Sequence, residues 1–355
     1  MVTREQRIEA FVKLGDFLRT YIGYRKGVNP APFPLSDMHA LDETITLAGI
    51  KNGWFTEENV LFALNSWGEL LKEEALTKWI TDYPVVAASP KKVAIIMAGN
   101  IPLVGFHDLL AVLITGNKAL IKPSSNDTDI LPFLLKKLES FAPFFIGATR
   151  LVEGQLTAFD AVIATGSNNT ARYFEYYFGK KPHIIRKNRN SVAILRGQES
   201  ASQLSNLGED IFRYFGLGCR SVSKLFVPKG YDFTGLFEAI EPYKSLLDHH
   251  KYHNNYDYNK AVYLMSEFHF LDNGFFMLKE DEGFASPIGS VFYEHYASED
   301  ALRMRLNNQK DILQCIVADN FLKDEVAFGK TQSPTLFDYA DGIDTVEFLL
   351  KTYNN

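Results

Sequence analysis

Cysteine is scarce in this chain, whose 355 residues include only Cys219 and Cys315. Two cysteines cannot form the set of disulfides that stabilises many small secreted proteins. The residues that follow Met1 are polar and predict a helix over 3–19, which is not the pattern of a secretory signal. We therefore expect a reducing, cytoplasmic location.

Long apolar runs and an excess of basic charge are also missing. The longest apolar run, residues 103–115, is interrupted by His107 and Asp108 and is too short to span a bilayer. The net charge is −6, and no segment carries the basic stripe that is typical of nucleic-acid-binding proteins. We therefore predict neither a membrane span nor a nucleic-acid partner.

Two common kinds of site have no signature in the sequence. No Gly-x-Gly-x-x-Gly pattern follows a predicted strand, so an ordinary Rossmann dinucleotide site is not predicted. The three histidines within residues 249–253 have no matching carboxylate pattern, and we predict no metal site. Basic residues at 180–181 and 186–189 could meet phosphates, but they are more typical of a solvated turn.

The sequence does contain alternating strand and helix patterns. The first ninety residues predict helices, with Thr56 as an N-cap. Residues 93–97, 118–121 and 161–164 are short apolar runs, typical of strands buried on both faces. A helix over 168–178 follows the last of them. Such alternation predicts an α/β fold with a parallel, doubly wound sheet.

A second strand–helix set follows between residues 223 and 318, and the length of the chain suits two domains. We predict N-terminal helices and a cofactor-binding domain over 1–210. A second α/β domain, which carries the catalytic cysteine, is predicted over 211–330. Residues 331–355 are predicted to form a C-terminal docking segment.

Polar turns follow three of the predicted strands. They are Gly99-Asn100, Lys122-Pro123-Ser124-Ser125 and Thr165-Gly166-Ser167. The carboxyl ends of parallel strands meet at one edge of a sheet, where open α/β sheets bind ligands. There Lys122 could hold a ribose or phosphate, and Gly166-Ser167 could present a helix N-terminus to a pyrophosphate. The alternative is simple capping, as we predict for residues 124–127 before a helix that ends at Phe141.

Cys219 is the clearest candidate for chemistry. It follows Gly216-Leu217-Gly218 in a short loop before a strand, so its side chain can face a cleft. The adjacent Arg220 favours the thiolate, which is the nucleophilic form. The alternative for Cys219 is a small buried side chain, which is the role we predict for Cys315.

Taken in order, these segments resemble the aldehyde-dehydrogenase superfamily over roughly residues 84–318. The matching motifs are Asn100-Ile101-Pro102, residues 116–124 (Gly-Asn-x-x-x-x-Lys-Pro-Ser), Thr165-Gly166-Ser167 and Gly218-Cys219. The resemblance implies that Cys219 is the nucleophile and that the Asn100 carboxamide is an oxyanion donor, although an asparagine there could also be a cap. It implies cofactor contacts from Lys122, Ser124, Ser125, Gly166 and Ser167.

Within that superfamily the chain resembles the long-chain acyl-CoA reductase group that is associated with bacterial luminescence. The resemblance lies in residues 53–60, 97–102 and 338–342. It implies reduction of a long-chain acyl-CoA, or of another thioester such as one on an acyl carrier, to the aldehyde through a Cys219 thioacyl-enzyme. It also implies NADPH as the cofactor, with NADH less favoured, and a homo-oligomer.

One departure from the superfamily pattern favours reduction. Aldehyde-oxidising members carry Glu-Leu-Gly-Gly-Lys, whose Glu activates water, whereas residues 186–191 here contain no carboxylate. Losing a general base should slow hydrolysis of an acyl-enzyme by about two to four orders of magnitude. A second departure is that residues 282–289 show no clear Glu-x-Phe-Gly-Pro segment, the usual nicotinamide-ribose contact.

Three other functions remain compatible with the sequence. One is reduction of an acyl phosphate or a short-chain acyl-CoA by an enzyme of the same superfamily. A second is a Cys219-dependent acyltransferase or thioesterase that needs no nicotinamide. The third is a catalytically inactive scaffold that only binds the cofactor.

Overall fold

The computed structural model describes residues 2–84 and 89–351, which fall into two compact units. The first unit contains Met1–Lys187 together with Thr335–Asn355, and the second contains Asn188–Pro334. Each unit combines helices with a largely parallel sheet. The predicted α/β fold class is therefore confirmed.

Four helices open the first unit. They are α1 (Arg4–Tyr24), α2 (Leu35–Lys51), α3 (Glu57–Leu70) and α4 (Glu73–Thr81). The α1 helix begins with a capping box between Thr3 and Gln6. The predicted N-cap Thr56 is confirmed, since its hydroxyl accepts a hydrogen bond from the Asn59 N–H.

The sheet of the first unit has five parallel strands in the order β3-β2-β1-β4-β5. The strands are β1 (Lys92–Ile96), β2 (Lys118–Lys122), β3 (Thr149–Leu151), β4 (Ala161–Thr165) and β5 (His183–Arg186). The helices between them are α5 (Phe106–Ile114), α6 (Ile130–Phe141) and α7 (Asn168–Phe178). Because β2, β1 and β4 are neighbours, their carboxyl ends share one edge, as the sequence predicts.

The second unit contains a six-stranded sheet in the order β11-β6-β7-β10-β9-β8, in which only the β8–β9 pair is antiparallel among the described strands. The strands are β6 (Asn190–Ile194), β7 (Val222–Pro228), β8 (Phe270–Asp272), β9 (Met277–Glu280), β10 (Ser290–Tyr296) and β11 (Leu313–Val317). The helices are α8 (Ala201–Phe212), α9 (Thr234–Ile240), α10 (His250–Met265) and α11 (Glu299–Asn308).

The predicted domain limits need correction. The first unit ends at Lys187 rather than at residue 210, because β6 pairs with both β7 and β11 and α8 packs on the same core. At the other end, the second unit extends to Pro334. The following residues return to the first unit, where the helix α12 (Thr345–Lys351) contacts α5.

The basic residues at 186–189 do not all lie in a solvated turn. Arg186 is only 5% exposed and forms a buried ion pair with Asp108 on α5. A second nitrogen of its guanidinium donates to the Thr345 hydroxyl at 3.1 Å. Burial of this ion pair by α12 contradicts the solvated-turn prediction for Arg186, whereas the neighbouring Lys187 is exposed, as predicted.

Two kinds of feature are absent from residues 2–84 and 89–351, the part of the chain that the structure describes. No helix there is long and apolar enough to cross a bilayer. In the same part of the chain, no three His, Cys, Asp or Glu side chains lie close enough together to hold a metal ion.

Candidate active site

The turns that follow β1 and β2 are in close contact. Gly99 is buried, and a Cβ atom on it would lie 2.5 Å from the Ser124 Cβ and 2.6 Å from the Ser124 hydroxyl. Only glycine allows the two turns to approach this closely. The approach brings the exposed Asn100 next to the turn that contains Ser124 and Ser125.

Asn100 does not cap the helix that follows it. The N-cap position of α5 is Gly105, and no side chain caps this helix. Between them, Leu103 adopts a left-handed backbone conformation with φ of 57°. The Leu103 N–H donates to the carboxylate of Asp127, which fixes the turn that presents Asn100.

Among the acidic residues near this edge, Asp127 has the most strongly shifted pKa. Its Oδ1 atom is buried and has no hydrogen-bond partner among the described residues. Burial raises the pKa of Asp127 to about 6, and the Leu103 N–H opposes this rise only partly. The folded protein therefore keeps this carboxyl group protonated up to about pH 6, a higher pH than in the unfolded chain.

This raised pKa predicts a stability effect of Asp127→Asn. In the unfolded chain the carboxyl group loses its proton near pH 4, so the stability that it contributes is lost as the pH rises from about 4 through about 6. Asn mimics the protonated form, and the variant should be about 1–3 kcal/mol more stable than wild type at pH 8. Unfolding by urea at pH 5 and pH 8 measures this difference.

The exposed acid Glu153 provides the matched control, and Glu153→Gln should change the stability of the first unit little at either pH. If Asp127→Asn were as stable as wild type at pH 8, or less stable, ionisation of the carboxyl group would not lower the free energy of unfolding. That outcome would contradict the raised pKa.

Residues 124–127 form a separate turn and do not cap α6, which corrects the prediction. The Ser124 hydroxyl accepts from the Asn126 N–H at 3.3 Å, and its carbonyl accepts from the Asp127 N–H at 3.1 Å. Because these bonds close the turn on itself, α6 begins only at Ile130. Ser125 is exposed on this turn.

Lys122 ends β2 at the same edge. Lys122 is partly exposed, and no carboxylate of the described residues pairs with its ammonium group. A cation and a hydroxyl group on neighbouring positions suit the ribose and phosphate oxygens of a nucleotide.

The third turn contains Gly166 and Ser167 at the end of β4. The Ser167 hydroxyl accepts from the Thr170 N–H at 3.2 Å and caps α7, so the capping alternative holds for this hydroxyl. The Gly166 N–H donates to the Arg186 carbonyl at 3.3 Å. The N-terminus of α7 therefore lies at the same sheet edge as Lys122 and Ser125, where it adds a dipole that favours anions.

Cys219 belongs to the second unit, whereas the other predicted site residues belong to the first. Its side chain is exposed, whereas Cys315 on β11 is buried. This difference is the one that the sequence predicts for the two cysteines.

The backbone before Cys219 is left-handed at three consecutive residues. Tyr214, Phe215 and Gly216 have φ values of 56°, 58° and 75°. Left-handed conformations cost about 1–3 kcal/mol for residues other than glycine and persist where packing holds them. Here the Phe215 ring stacks on the His249 ring with 4.3 Å between centroids. The loop that carries Cys219 is therefore held in a defined conformation.

Hydrogen bonds from distant residues hold the loop on its other side. The Arg220 Nε donates to the Thr331 carbonyl at 2.6 Å, so this guanidinium is anchored by a backbone oxygen. Asp210, which is buried, accepts from the Thr331 N–H at 2.9 Å and from its hydroxyl at 2.8 Å. Burial raises the pKa of Asp210, and the donors on Gly329 and Thr331 oppose that rise.

Sequence reasoning missed these supporting residues. Asp210 and Thr331 stand in no recognisable motif, and they meet only because residues 121 positions apart come together. Ser191, whose hydroxyl donates to the Cys219 carbonyl at 2.9 Å, closes the segment 186–191. The sequence shows that this segment has no carboxylate, but it does not show the role of the Ser191 hydroxyl.

The turns of the first unit and the Cys219 loop lie within a segment that matches a known protein family. The family model for acyl-CoA reductase (LuxC) matches residues 54–238, just over half of the chain. This chain belongs to the acyl-CoA reductase (LuxC) family. Membership makes it an oxidoreductase of acyl thioesters, and the resemblance predicted from the motifs is confirmed. No curated protein matches the chain.

Solved structures similar to this acyl-CoA reductase family member have the aldehyde-dehydrogenase fold. An oxidoreductase from Marinobacter aquaeolei has a TM-score of 0.62 and 13% identity, over 94% of this chain and 79% of that chain. A mutant aldehyde dehydrogenase from Bacillus cereus has a TM-score of 0.60 and 14% identity, over 89% of this chain and 71% of that chain. An NAD+ complex of aldehyde dehydrogenase from Bacillus cereus has the same score and identity, over 89% and 72%. At such identities the likeness shows the fold alone.

Proposed function

We propose that this protein reduces a long-chain acyl-CoA, or another acyl thioester, to the aldehyde through a thioacyl-enzyme on Cys219. The observation that supports this proposal is the exposure of Cys219 in a loop held by packing and hydrogen bonds, in a family of acyl-CoA reductases. A cysteine that served only as a core residue would be buried, as Cys315 is.

In the proposed reaction the Cys219 thiolate attacks the thioester carbonyl, and the substrate thiol leaves with the electron pair of its C–S bond. The Cys219 N–H and the Asn100 carboxamide, by the resemblance, stabilise the oxyanion of this step. A bound reduced nicotinamide would supply the hydride. The hemithioacetal that results on Cys219 then collapses to the aldehyde and regenerates the thiolate.

The segment 186–191 supports reduction over hydrolysis. It has no carboxylate to activate water, and its first side chain, Arg186, is buried against Asp108. A thioacyl-enzyme without a general base nearby should persist long enough for hydride transfer. This feature also argues against the thioesterase alternative.

A nicotinamide dinucleotide fits the donors at the edge of the first sheet. Lys122 provides a cation, Ser125 a hydroxyl group, and α7 an N-terminus, all of which suit ribose and phosphate oxygens. The Bacillus cereus aldehyde dehydrogenase is an NAD+ complex, which supports a nicotinamide cofactor for this fold. We propose NADPH for this chain.

We expect NADPH to be preferred over NADH roughly tenfold to hundredfold in kcat/KM. Ser125 stands where NAD-dependent relatives often carry a glutamate that would repel a 2′-phosphate. The Lys122 ammonium can pair with that phosphate in a charge-assisted contact that contributes about 1.5–3 kcal/mol. Each ~1.4 kcal/mol corresponds to a tenfold change in the preference. Ser125→Glu should remove or reverse the preference. A wild type that prefers NADH, or an unchanged ratio in the variant, would refute this account of the ribose site.

Asn100→Ala should slow acylation about 10²–10³-fold, because one oxyanion donor contributes roughly 2.7–4 kcal/mol to the barrier. The melting temperature should fall only slightly, since the N-cap position of α5 is Gly105. Rapid-quench acylation and thermal unfolding measure the two effects. The opposite pattern, a destabilised variant with normal acylation, would make Asn100 a structural residue.

The function is tested directly by following the oxidation of NADPH with a panel of acyl-CoAs from short to long chains. Maximal turnover with long chains supports the proposal, whereas maximal turnover with short chains or an acyl phosphate favours the alternative reductase. Release of free thiol without any nicotinamide would favour the acyltransferase or thioesterase. Cofactor binding with no turnover of any substrate would favour the inactive scaffold.

A further inference from the structure

Both peptide groups that flank Cys219 are held by hydrogen bonds within the second unit. The Gly218 carbonyl accepts from the Ser221 N–H at 3.0 Å, and the Cys219 carbonyl accepts from the Ser191 hydroxyl at 2.9 Å. A peptide group is planar and trans, so fixing its carbonyl also fixes the N–H on the opposite side. The first bond therefore sets the direction of the Cys219 N–H, and the two together set the backbone dihedrals of Cys219.

The Ser191 hydroxyl is itself placed by the sheet. Ser191 is 0% exposed on β6, and its Oγ accepts from the Cys315 N–H of the neighbouring β11 at 3.1 Å. Its one hydrogen is therefore directed away from β11, toward the Cys219 carbonyl. The buried Ser191 hydroxyl thus accepts one hydrogen bond from β11 and donates one to the Cys219 carbonyl, and in this way it connects the sheet to the loop.

Ser191 differs from the other residues that support this loop. The Thr331 carbonyl holds Arg220, and the Gln332 amide donates to the Ser221 hydroxyl at 3.2 Å. These contacts act on the two residues after the cysteine. Ser191 contacts Cys219 itself.

We propose that Ser191 is a positioning residue for the nucleophile. Its hydroxyl holds the peptide group after Cys219, while the Ser221 N–H holds the peptide group before it. Together the two bonds fix the backbone dihedrals of Cys219, and so the direction of its thiol relative to the Cys219 N–H that faces a developing oxyanion. The proposal rests on the proposed function, in which Cys219 is acylated by a thioester. It predicts a selective loss of acyl transfer, and not of thiol reactivity as such, when the hydroxyl is removed.

Two reactions of the same thiol provide the test. Acylation by a long-chain acyl-CoA passes through an oxyanion, whereas alkylation by iodoacetamide displaces iodide at a saturated carbon and develops none. In Ser191→Ala the acylation rate constant should fall roughly tenfold to hundredfold, part of the effect of losing one oxyanion donor. Alkylation of Cys219, followed by intact mass and peptide mapping, should stay within about twofold of wild type.

Two further variants make the outcome decisive. Ser298→Ala removes the N-cap of α11 in the same unit and controls for a moderate loss of stability, so both rates should stay unchanged. Ser191→Thr keeps the hydroxyl and should restore much of the acylation rate. The proposal is overturned if acylation and alkylation fall together, if neither falls, or if Ser191→Ala does not fold.

Failure of the proposed function would be recognised separately. If wild-type Cys219 is alkylated but never acylated by any acyl-CoA, the thioacyl-enzyme itself is wrong. If wild type is acylated and Ser191→Ala is acylated equally fast, only the role of Ser191 is wrong.

Discussion

Cys219→Ala should lose acyl-CoA reduction by at least about four orders of magnitude, whereas Cys315→Ala should keep nearly all of it. Removal of a nucleophile leaves only the rate that binding and oxyanion stabilisation provide. Cys219 is exposed in a loop that the surrounding residues hold, and Cys315 contributes to β11 through its backbone and a buried side chain. Initial rates of NADPH oxidation measure both variants.

Intact-mass analysis after addition of an acyl-CoA gives an independent readout for the same variants. Wild type and Cys315→Ala should each gain one acyl group, and Cys219→Ala should gain none. An acyl adduct on Cys315, or normal turnover by Cys219→Ala, would show that the chemistry does not pass through Cys219.

Arg186→Met should destabilise the first unit by about 3–5 kcal/mol. The substitution leaves the Asp108 carboxylate buried without its counter-ion, which is the costly way to break a buried ion pair. All three tryptophans, Trp54, Trp67 and Trp79, lie in the first unit, so tryptophan fluorescence during urea unfolding reports on this unit selectively. We expect a much lower urea midpoint for the variant.

The adjacent Lys187 provides the control for this experiment. It is exposed and pairs with Glu175 at 2.9 Å, so Lys187→Met should change stability by no more than about 1 kcal/mol. The double variant Asp108→Leu with Arg186→Met should recover part of the loss, because it removes both charges. Equal effects of Arg186→Met and Lys187→Met would contradict a buried ion pair.

The edge of the first sheet that carries the three polar turns could be predicted because local patterns determine it. Short apolar runs identify β1, β2 and β4, and the alternation with helices makes them parallel. Their carboxyl ends must then share an edge, which places the Asn100, Lys122 and Gly166 turns together. The exposure of Cys219 followed from its glycines in the same local way.

The features that the sequence did not reveal depend on distant partners. Arg186 lies in a locally basic stretch, and its burial depends on Asp108 and Thr345, which are 78 and 159 residues away. The stretch before β6 is polar and gives no sign that a new unit begins there. The sequence therefore predicts that the first domain extends to residue 210, whereas the first unit ends at Lys187. Ser124 is of a residue type that is common at helix N-caps. Hydrogen bonds within its own turn engage it instead, and α6 begins only at Ile130.

The position of α12 has a consequence for the order in which the chain is synthesised. Thr345 follows Arg186 by 159 residues, so at roughly 5–20 residues per second it is made on the order of ten seconds later. The second unit is contiguous in sequence and lies wholly within that interval. On the ribosome, the second unit can therefore complete its core while α5 of the first unit still exposes the face that α12 will cover. The nascent chain thus holds the Asp108–Arg186 pair open to water until α12 is translated and closes over it.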